Sequence, residues 1–316
     1  MQQTNTQPEI SVIIPFYNEA KLIGHLLECL SRQRVSFHWE VIFADNGSTD
    51  ESSKIIESYK SKIPALTIVE APEEQGAGYA RNKGVEHSKS EFIAFCDADD
   101  EIPDNWVSSM HEGIEKHSFI ACRIDEEKLN NEELLDVMHL NKNGLMDYGY
   151  LPFSLGGSIG IKKSIYQNVG GYDVSLRYSE DSDLCFRVQL TGKELHYWED
   201  THIHYRLQTS TWSTCIQNYY WCRYGKAIAY RFKHLGHIEI EFSLKQIPKM
   251  LRFALIFFLR INDKRKKLIY GRLFFQNLGF MMPLLKVAHS PILLQDSQVD
   301  SKVRADLIEN KMKEGS

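Results

Sequence analysis

An open α/β fold, with a mostly parallel sheet and helices on both of its faces, is the architecture that the first 125 residues predict. Three observations carry it. Strand-like apolar runs alternate with segments of helical periodicity, the runs read as fully buried strands, and the polar clusters each follow a strand end. At 316 residues the chain is long enough for one elaborate α/β domain with an appendage.

Residues 9–16 (EISVIIPF) read as the first strand, and Asn18 is expected to cap a helix with Leu22, Ile23, Leu26, Leu27 and Leu30 on its apolar face. WEVIFAD (39–45) is a second strand, followed by a helix over about 50–59. ALTIVEA (65–71) is a third, followed by a helix opened by glycine over 78–87. EFIAFC (91–96) is a fourth strand ending in an acidic cluster, and SFIACRI (118–124) is a fifth. Beyond Asn130 the pattern is irregular, with FSLGGSIGIKKS, the turn VGGYD, a helix over about 180–191 and ELHYWEDTHIHYR. A long helix over about 211–234 carries many aromatics, expected to pack on the sheet domain or on a partner helix. There is no internal repeat and no low-complexity segment.

The net charge of −5 conceals an asymmetry. Residues 243–290 hold ten Lys/Arg against one Asp, whereas residues 1–242 carry −13. The expected division is therefore a catalytic body over 1–242, in halves of about 9–125 and 126–242, then a basic amphipathic helical segment over 243–290 and a polar tail over 291–316. The longest apolar run of the basic segment, 253–259, is seven residues, far short of the roughly 20 that span a bilayer. Apolar blocks flanked by Lys and Arg suit an anionic membrane surface; the alternative is a helical appendage packed on the body. Six cysteines show no CxxC pair or zinc-like spacing and sit in apolar runs, as reduced core thiols do. With no apolar signal stretch at the start, the expectation is a cytoplasmic protein, peripheral on the membrane if bound there, with no nucleic-acid partner.

The chemistry concentrates in FCDADDEIPD (95–104), where Asp97, Asp99, Asp100, Glu101 and Asp104 crowd together after a buried strand. In extended backbone Asp97 and Asp99 project to the same side, and such oxygen donors suit Mg²⁺ or Mn²⁺. A two-carboxylate site leaves coordination positions for phosphates, so the cluster predicts a nucleoside diphosphate ligand bridged through the metal.

SVIIPFYNE, ADNGSTD, GAGYARNKG, CDADD and GGYDVSLRYSEDSDLCFRV occur in the order and spacing of family 2 glycosyltransferases with the GT-A fold, and the resemblance covers roughly 9–210. It implies a Rossmann-like nucleotide-binding sheet and an inverting transfer from a nucleotide-sugar donor, UDP-sugar favoured, to a sugar, lipid-linked or other acceptor hydroxyl. The end of the first strand (Pro15, Tyr17, Glu19) and the turn after the second (Asp45, Asn46) are implied to hold the nucleotide, with Tyr17 stacking on the base. Asn46 stands where many members have an aspartate that accepts from uracil. Arg81 is implied either to counter phosphate charge or to pair with Asp45. Asp97 and Asp99 match the metal motif, with Asp97 also at the nucleotide, and His204, rather than His202, matches a histidine near the metal. In SEDSDLCFR the resemblance implies Asp181 as general base and Glu180 as orienting the acceptor or the base, against the plainer reading of Glu180, Asp181 and Asp183 as first-turn acids favoured by a helix dipole. Gly156, Gly157, Gly170 and Gly171 are expected to serve close backbone approach to a sugar or tight turns.

Rival readings leave less of the chain explained. A nicotinamide-dependent oxidoreductase fails on its fingerprint, since Gly76-Ala77-Gly78-Tyr79-Ala80-Arg81 ends in arginine and follows the third strand. An aspartate-nucleophile phosphatase wants Thr or Val where Glu101 stands. A nucleotide-binding module without catalysis leaves the intact Asp97, Asp99 and Asp181 without a purpose.

Overall fold

In the computed structural model, residues 7–63, 65–137, 144–147, 149–236, 244–259, 263–290 and 292–314 are described. The chain runs β1 (Ile10–Phe16), α1 (Ile23–Ser31), β2 (Trp39–Asp45), α2 (Ser52–Glu57), β3 (Leu66–Glu70), α3 (Ala77–His87) and β4 (Phe92–Phe95). It continues with α4 (Trp106–His117), β5 (Phe119–Asp125), α5 (Glu132–Leu135), β6 (Ile159–Lys162), α6 (Lys163–Asn168), α7 (Glu180–Leu190) and β7 (His196–His204). Four helices close it: α8 (Thr211–Phe232), α9 (Ile247–Leu259), α10 (Lys264–Met281) and α11 (Ser301–Glu314). The first six residues, residues 243 and 260–262 of the basic segment, and Pro291 and the last two residues of the tail lie outside the described residues.

One sheet takes the order β3-β2-β1-β4-β6-β5-β7. β3, β2, β1 and β4 are mutually parallel, β6 is antiparallel to both of its neighbours, and β7 runs parallel to β5. Period-two alternation feeds two cores, one on each face. Ile13, Ile42, Ile93, Phe95 and Phe119 enter one, while Val12, Ile14, Val41, Phe43, Ala94 and Ile120 enter the other. The first is closed by α7 and the end of α8 through Leu184, Phe186, Val188, Ile228 and Phe232. The second is closed by α1 and α4 through Leu26, Leu27, Leu30, Trp106, Met110 and Ile114. Because β1 and β2 are buried along their whole length, their residues need no polar face, which is why these strands are legible as apolar runs.

Several local expectations change. Asn18 does not cap α1: its backbone is left-handed (φ 55°), and its side-chain Oδ1 accepts from Thr49 N at 2.8 Å, tying the β1 loop to the β2 loop. The helix α4 and the strand β6 were not expected. Low helix propensity at Ser108, Ser109 and Gly113 weakens the helical signal, and β6 is four residues long with Gly160 inside it. The basic segment forms α9 and α10, which pack on each other and, through α10, on α8. The segment expected as a polar tail docks on the body: Leu294 is buried, Asp300 N donates to Leu190 O at 2.8 Å, and Gln298 Nε2 donates to Asn168 O at 2.7 Å.

Candidate active site

The carboxyl ends of β1, β2 and β4 meet the start of α7 around an open crevice of about 430 Å³. Pro15, Tyr17, Glu19, Asn46, Arg81, Asp97, Asp99, Glu180 and Asp181 all line it. Of the residues that the resemblance implies for nucleotide, metal or catalysis, Asp45 and His204 do not. A second compartment of about 600 Å³ shares Tyr17, Asn46 and Ala77 and extends to Tyr178, Tyr220 and Tyr224. Both volumes suit small-molecule ligands, and strand carboxyl ends are where open α/β sheets bind them.

The acidic cluster divides by environment. Asp97 to Asp100 form a turn, closed by Asp100 N donating to Asp97 O at 3.3 Å, so Asp97 and Asp99 reach the crevice from a turn and not from one face of an extended strand. Asp100 is buried, with one oxygen accepting from Arg206 N at 3.1 Å and the other without a partner. Glu101 and Asp104 turn away to cations: Lys128 lies 2.9 Å from Glu101, and Arg32 lies 3.4 Å from Asp104.

Charge in the crevice is unbalanced. Burial and the neighbouring Asp97 push the Asp99 carboxyl up to about 6. Burial, then Asp99, Asp50 and Asp97, push Glu19 up to about 7. The Arg81 guanidinium, 3% exposed, lies 2.5 Å from Asp97 and 3.5 Å from Glu180. Burial opposes its charge, but Asp97, Tyr172 and Glu180 together raise its pKa. Arg81 therefore pairs with Asp97 and Glu180, not with Asp45. Asp45 instead organises its own turn, accepting from Ser48 N at 2.8 Å and from Ser53 Oγ at 2.9 Å.

Asn46 has a different job from the one its position suggests. Its amide nitrogen donates to Ala71 O at 2.6 Å and to Glu74 O at 2.8 Å, and its oxygen accepts from Gly76 N at 2.8 Å. The side chain thus clamps the loop between β3 and α3, and both of its donors are used.

Glu180 and Asp181 occupy the first turn of α7, after Ser179 in a left-handed conformation. Burial, followed by Asp181, pushes Glu180 up to about 7. Burial also raises Asp181, against the opposing pull of Ser182 N, which donates to it at 2.7 Å, and of Arg81. Asp183, two residues on, is fully buried in a different network: Arg187 Nη2 lies at 2.6 Å and Arg231 Nη1 at 3.5 Å, while Arg231 also reaches Asp173 at 2.8 Å. The three acids read as one first-turn group are therefore two groups. Gly156 and Gly157 allow close approach to the protein's own side chains: a Cβ at Gly156 would lie 2.7 Å from Arg81 Cζ, and one at Gly157 would lie 2.8 Å from Asp97 Oδ2. Gly170 and Gly171 form a turn at positive φ (81° and 67°), away from the crevice lining.

His204 is not brought to Asp97 and Asp99. Its Nδ1 is 2.5 Å from Asp125 and its Nε2 is 3.3 Å from His202 Nε2, while Arg123 Nη2 lies 3.2 Å from His202 Nδ1. Asp125, His202 and His204 bring one ligand atom each within 4.8 Å of one another, a spacing that can hold a metal ion. The same atoms also form a complete relay without one: Arg123 donates to His202, His202 to His204, and His204 to Asp125. Burial and the neighbouring His204 and Arg123 push His202 down to about 4, in keeping with a neutral ring.

Residues missed by sequence reasoning complete the lining: Arg206, whose Nε donates to Asp99 O at 3.0 Å, and Gln208, Gln217 and Trp221. The spacing of Gln217, Tyr220, Trp221 and Tyr224 puts them on one helical face, which is the signal that could have found them. Part of the α8 aromatic set thus faces the ligand space instead of the core.

The family model described as glycosyl transferase family 2 matches residues 11–170. The minor teichoic acid biosynthesis protein GgaA of Bacillus subtilis (strain 168) is 30% identical over 201 residues, 59% of this chain and 44% of that protein. The glycosyltransferase AglE of Haloferax volcanii is 37% identical over 105 residues, 33% of this chain and 34% of that protein. The chain thus spans less than half the length of these relatives. Among solved structures, the mannosyltransferase PcManGT of Pyrobaculum calidifontis, in complex with GDP-Man and Mn²⁺, has a TM-score of 0.56 at 18% identity, covering 98% of this chain and 87% of its own. TarS residues 1–349 of S. aureus give 0.52 at 19% identity, covering 96% and 87%. At these identities the likeness is one of fold, the GT-A arrangement of a mixed sheet with C-terminal helices.

Proposed function

Since this chain belongs to glycosyl transferase family 2, we propose that it transfers a sugar from a nucleoside diphosphate donor to an acceptor hydroxyl with inversion at the anomeric carbon. The observation that carries this reading is that Asp97, Asp99, Arg81, Glu180 and Asp181 line one crevice with the exposed ring of Tyr17. Tyr17 is the stacking platform for the base, with uridine favoured.

The donor set fits a hard divalent cation, Mn²⁺ or Mg²⁺. Asp99 and Glu19 are pushed up by burial and mutual repulsion, and Arg81, the cation paired with Asp97, is already shared with Glu180. Asp97 and Asp99 would hold the ion, which supplies positive charge to the departing diphosphate. His204 is left out of this ligand set, because both of its ring nitrogens are engaged outside the crevice.

The remaining work falls to the chain. The acceptor oxygen bonds to the anomeric carbon as the bond to the diphosphate breaks, and the acceptor proton passes to Asp181. Glu180 orients the acceptor, and Arg81 keeps Asp97 and Glu180 in register. The acceptor is a sugar, lipid-linked or other glycoconjugate hydroxyl, and the enzyme works in the cytoplasm with its basic helical segment toward an anionic membrane surface.

Screening nucleotide sugars for thermal shifts with and without Mn²⁺ tests donor binding. Asp181→Asn is expected to keep metal-dependent donor binding and abolish transfer, while Asp99→Asn weakens both. Normal turnover by the Asp181→Asn protein removes the base assignment. A module that only binds nucleotide gives the thermal shift in the wild type without product.

A further inference from the structure

Most apolar helices of this fold bury what they carry, but α9 does not. Met250, Phe253 and Phe257 form its buried stripe, and Phe257 packs on Phe275 of α10 with ring centroids 6.1 Å apart. Leu251, Leu255, Phe258 and Leu259 are 56–71% exposed. At 100° per residue these four fall within an arc of about 100°, opposite the buried stripe. The helix is therefore apolar on two faces, of which the fold covers one.

Trp212, 57% exposed, lies edge-on to Phe275 at 5.4 Å, the ring on which Phe257 of the buried stripe packs. Four of the nine large apolar side chains exposed among the described residues thus lie in one arc of one helix, and such a contiguous patch marks an interaction surface.

Charge says what covers it. Arg252, exposed, borders the apolar arc on α9, Lys249, also exposed, stands further round the same flank over the Phe253 ring, and Lys264 opens α10 at the next turn of chain. α9 itself carries no acid. Scattered Lys and Arg beside a band of Leu and Phe is the pattern of a helix lying in the plane of an anionic bilayer, its apolar face among the acyl chains and its cations at the headgroups. A partner helix or a second copy would bury the apolar arc but leave the cations without a counterpart. No described helix is long and apolar enough to cross a membrane.

We propose that α9 docks flat on anionic lipid through Leu251, Leu255, Phe258 and Leu259, with Lys249 and Arg252 reading the headgroup charge. This deepens the membrane-facing part of the proposed function and rests on that reading for its purpose. The test reads lipid binding apart from transfer.

The full chain is floated with vesicles of phosphatidylcholine alone and of phosphatidylcholine mixed with phosphatidylglycerol. The wild type is expected to float with the mixed vesicles and to be released by high salt. Leu255→Ser/Phe258→Ser is expected to lose binding about ten-fold or more, and Lys249→Glu/Arg252→Glu to lose the preference for the anionic vesicles. Size exclusion without lipid and the Mn²⁺-dependent nucleotide thermal shift are run on the same variants and are expected to match the wild type. Equal flotation of the Ser variant and the wild type, failure of the wild type to float, or equal binding to both vesicle types overturns the proposal. So does a wild-type dimer that the Ser variant splits, which would make a second copy the occupant. Loss of the nucleotide shift in the wild type itself counts against the catalytic reading instead.

Discussion

Arg81 Nη2 lies 2.5 Å from Asp97 Oδ1, so the first aspartate of the acidic turn is held by a cation of the protein itself. The same guanidinium reaches Glu180 at 3.5 Å and sits 5.2 Å above the Tyr172 ring. One side chain therefore couples the turn after β4 to the start of α7, which is what keeps the two carboxylate groups of the crevice in one frame. Arg81→Met removes the charge at similar length and leaves both carboxylates near-buried and unpaired. Breaking a buried pair costs about 3–5 kcal/mol, and the partial exposure of Asp97 puts the expected loss near the lower end. Urea denaturation measures it, and an unchanged midpoint is incompatible with the coupling.

The pH dependence follows from Glu180. Its folded value of about 7 lies above the ordinary 4.5, raised by burial and then by Asp181. Between those values the folded chain holds a proton that the unfolded chain has released, so this group's contribution to stability is present at low pH and lost as pH rises through about 7. Transfer runs the other way, because Asp181 must be ionised to accept a proton. The acidic limb of kcat/KM is expected to rise toward neutrality with an apparent pKa that belongs to the Glu180–Asp181 pair. Glu180→Gln is expected to flatten the stability change between pH 5 and 8 and to move the activity limb to lower pH. A limb that stays in place separates Asp181 from its neighbour.

Protons and metal compete for the same crevice. Glu19 at about 7 and Asp99 at about 6 both carry protons in mildly acidic solution. Thermal stabilisation by Mn²⁺ is accordingly expected to be larger at pH 7.5 than at pH 5.5, and to shrink further in Asp99→Asn. Stabilisation that is independent of pH would mean that Asp99 and Glu19 do not hold the ion.

Much of this site is legible in the sequence, since apolar runs buried on both faces point to their own carboxyl ends. Tyr17, Glu19, Asn46, Asp97 and Asp99 reach the crevice from strand ends, whereas Arg81, Glu180 and Asp181 enter it from helices, where only the resemblance pointed. What is lost is the direction of each side chain once regular structure stops. Asp97 and Asp99 sit on a turn, where period-two reasoning does not apply, and the alternation of β7 turns His204 away while Tyr205 faces the crevice. Residue type alone also hides pairings across more than a hundred residues, such as Arg206 with Asp99 and Asp100. The α8 face of Gln217, Tyr220, Trp221 and Tyr224 was readable as a stripe, but a stripe does not say whether core or ligand lies opposite.

Asn46 offers a test of role against position. Asn46→Asp, which writes the more common family sequence, replaces two donors with acceptors that face Ala71 O and Glu74 O. Unsatisfied buried acceptors cost about 1–3 kcal/mol each, so the variant is expected to be less stable and to bind nucleotide more weakly as the loop before α3 loosens. Stronger uridine binding with undiminished stability would restore Asn46 to the base pocket and remove it from the clamp.

Asp181 and Asp183 share a helix turn and a charge, but they are expected to part company under the same substitution. Asp183 is buried between Arg187 and Arg231, and Arg231 belongs to α8, so Asp183→Asn leaves two buried guanidinium groups short of their counter-charge and loosens the joint between α7 and α8. A loss of about 3–5 kcal/mol is expected, with the fold rather than the chemistry as its first casualty. Asp181 is half-buried, at some cost to its charged form, so Asp181→Asn relieves that cost and is expected to leave stability equal or slightly higher while transfer stops, as for functional groups held at the expense of stability. Denaturation midpoints and single-turnover rates for the two variants, measured side by side, decide the matter. If Asp181→Asn is the one that unfolds, or Asp183→Asn the one that stays folded and inactive, the division of labour along α7 is reversed.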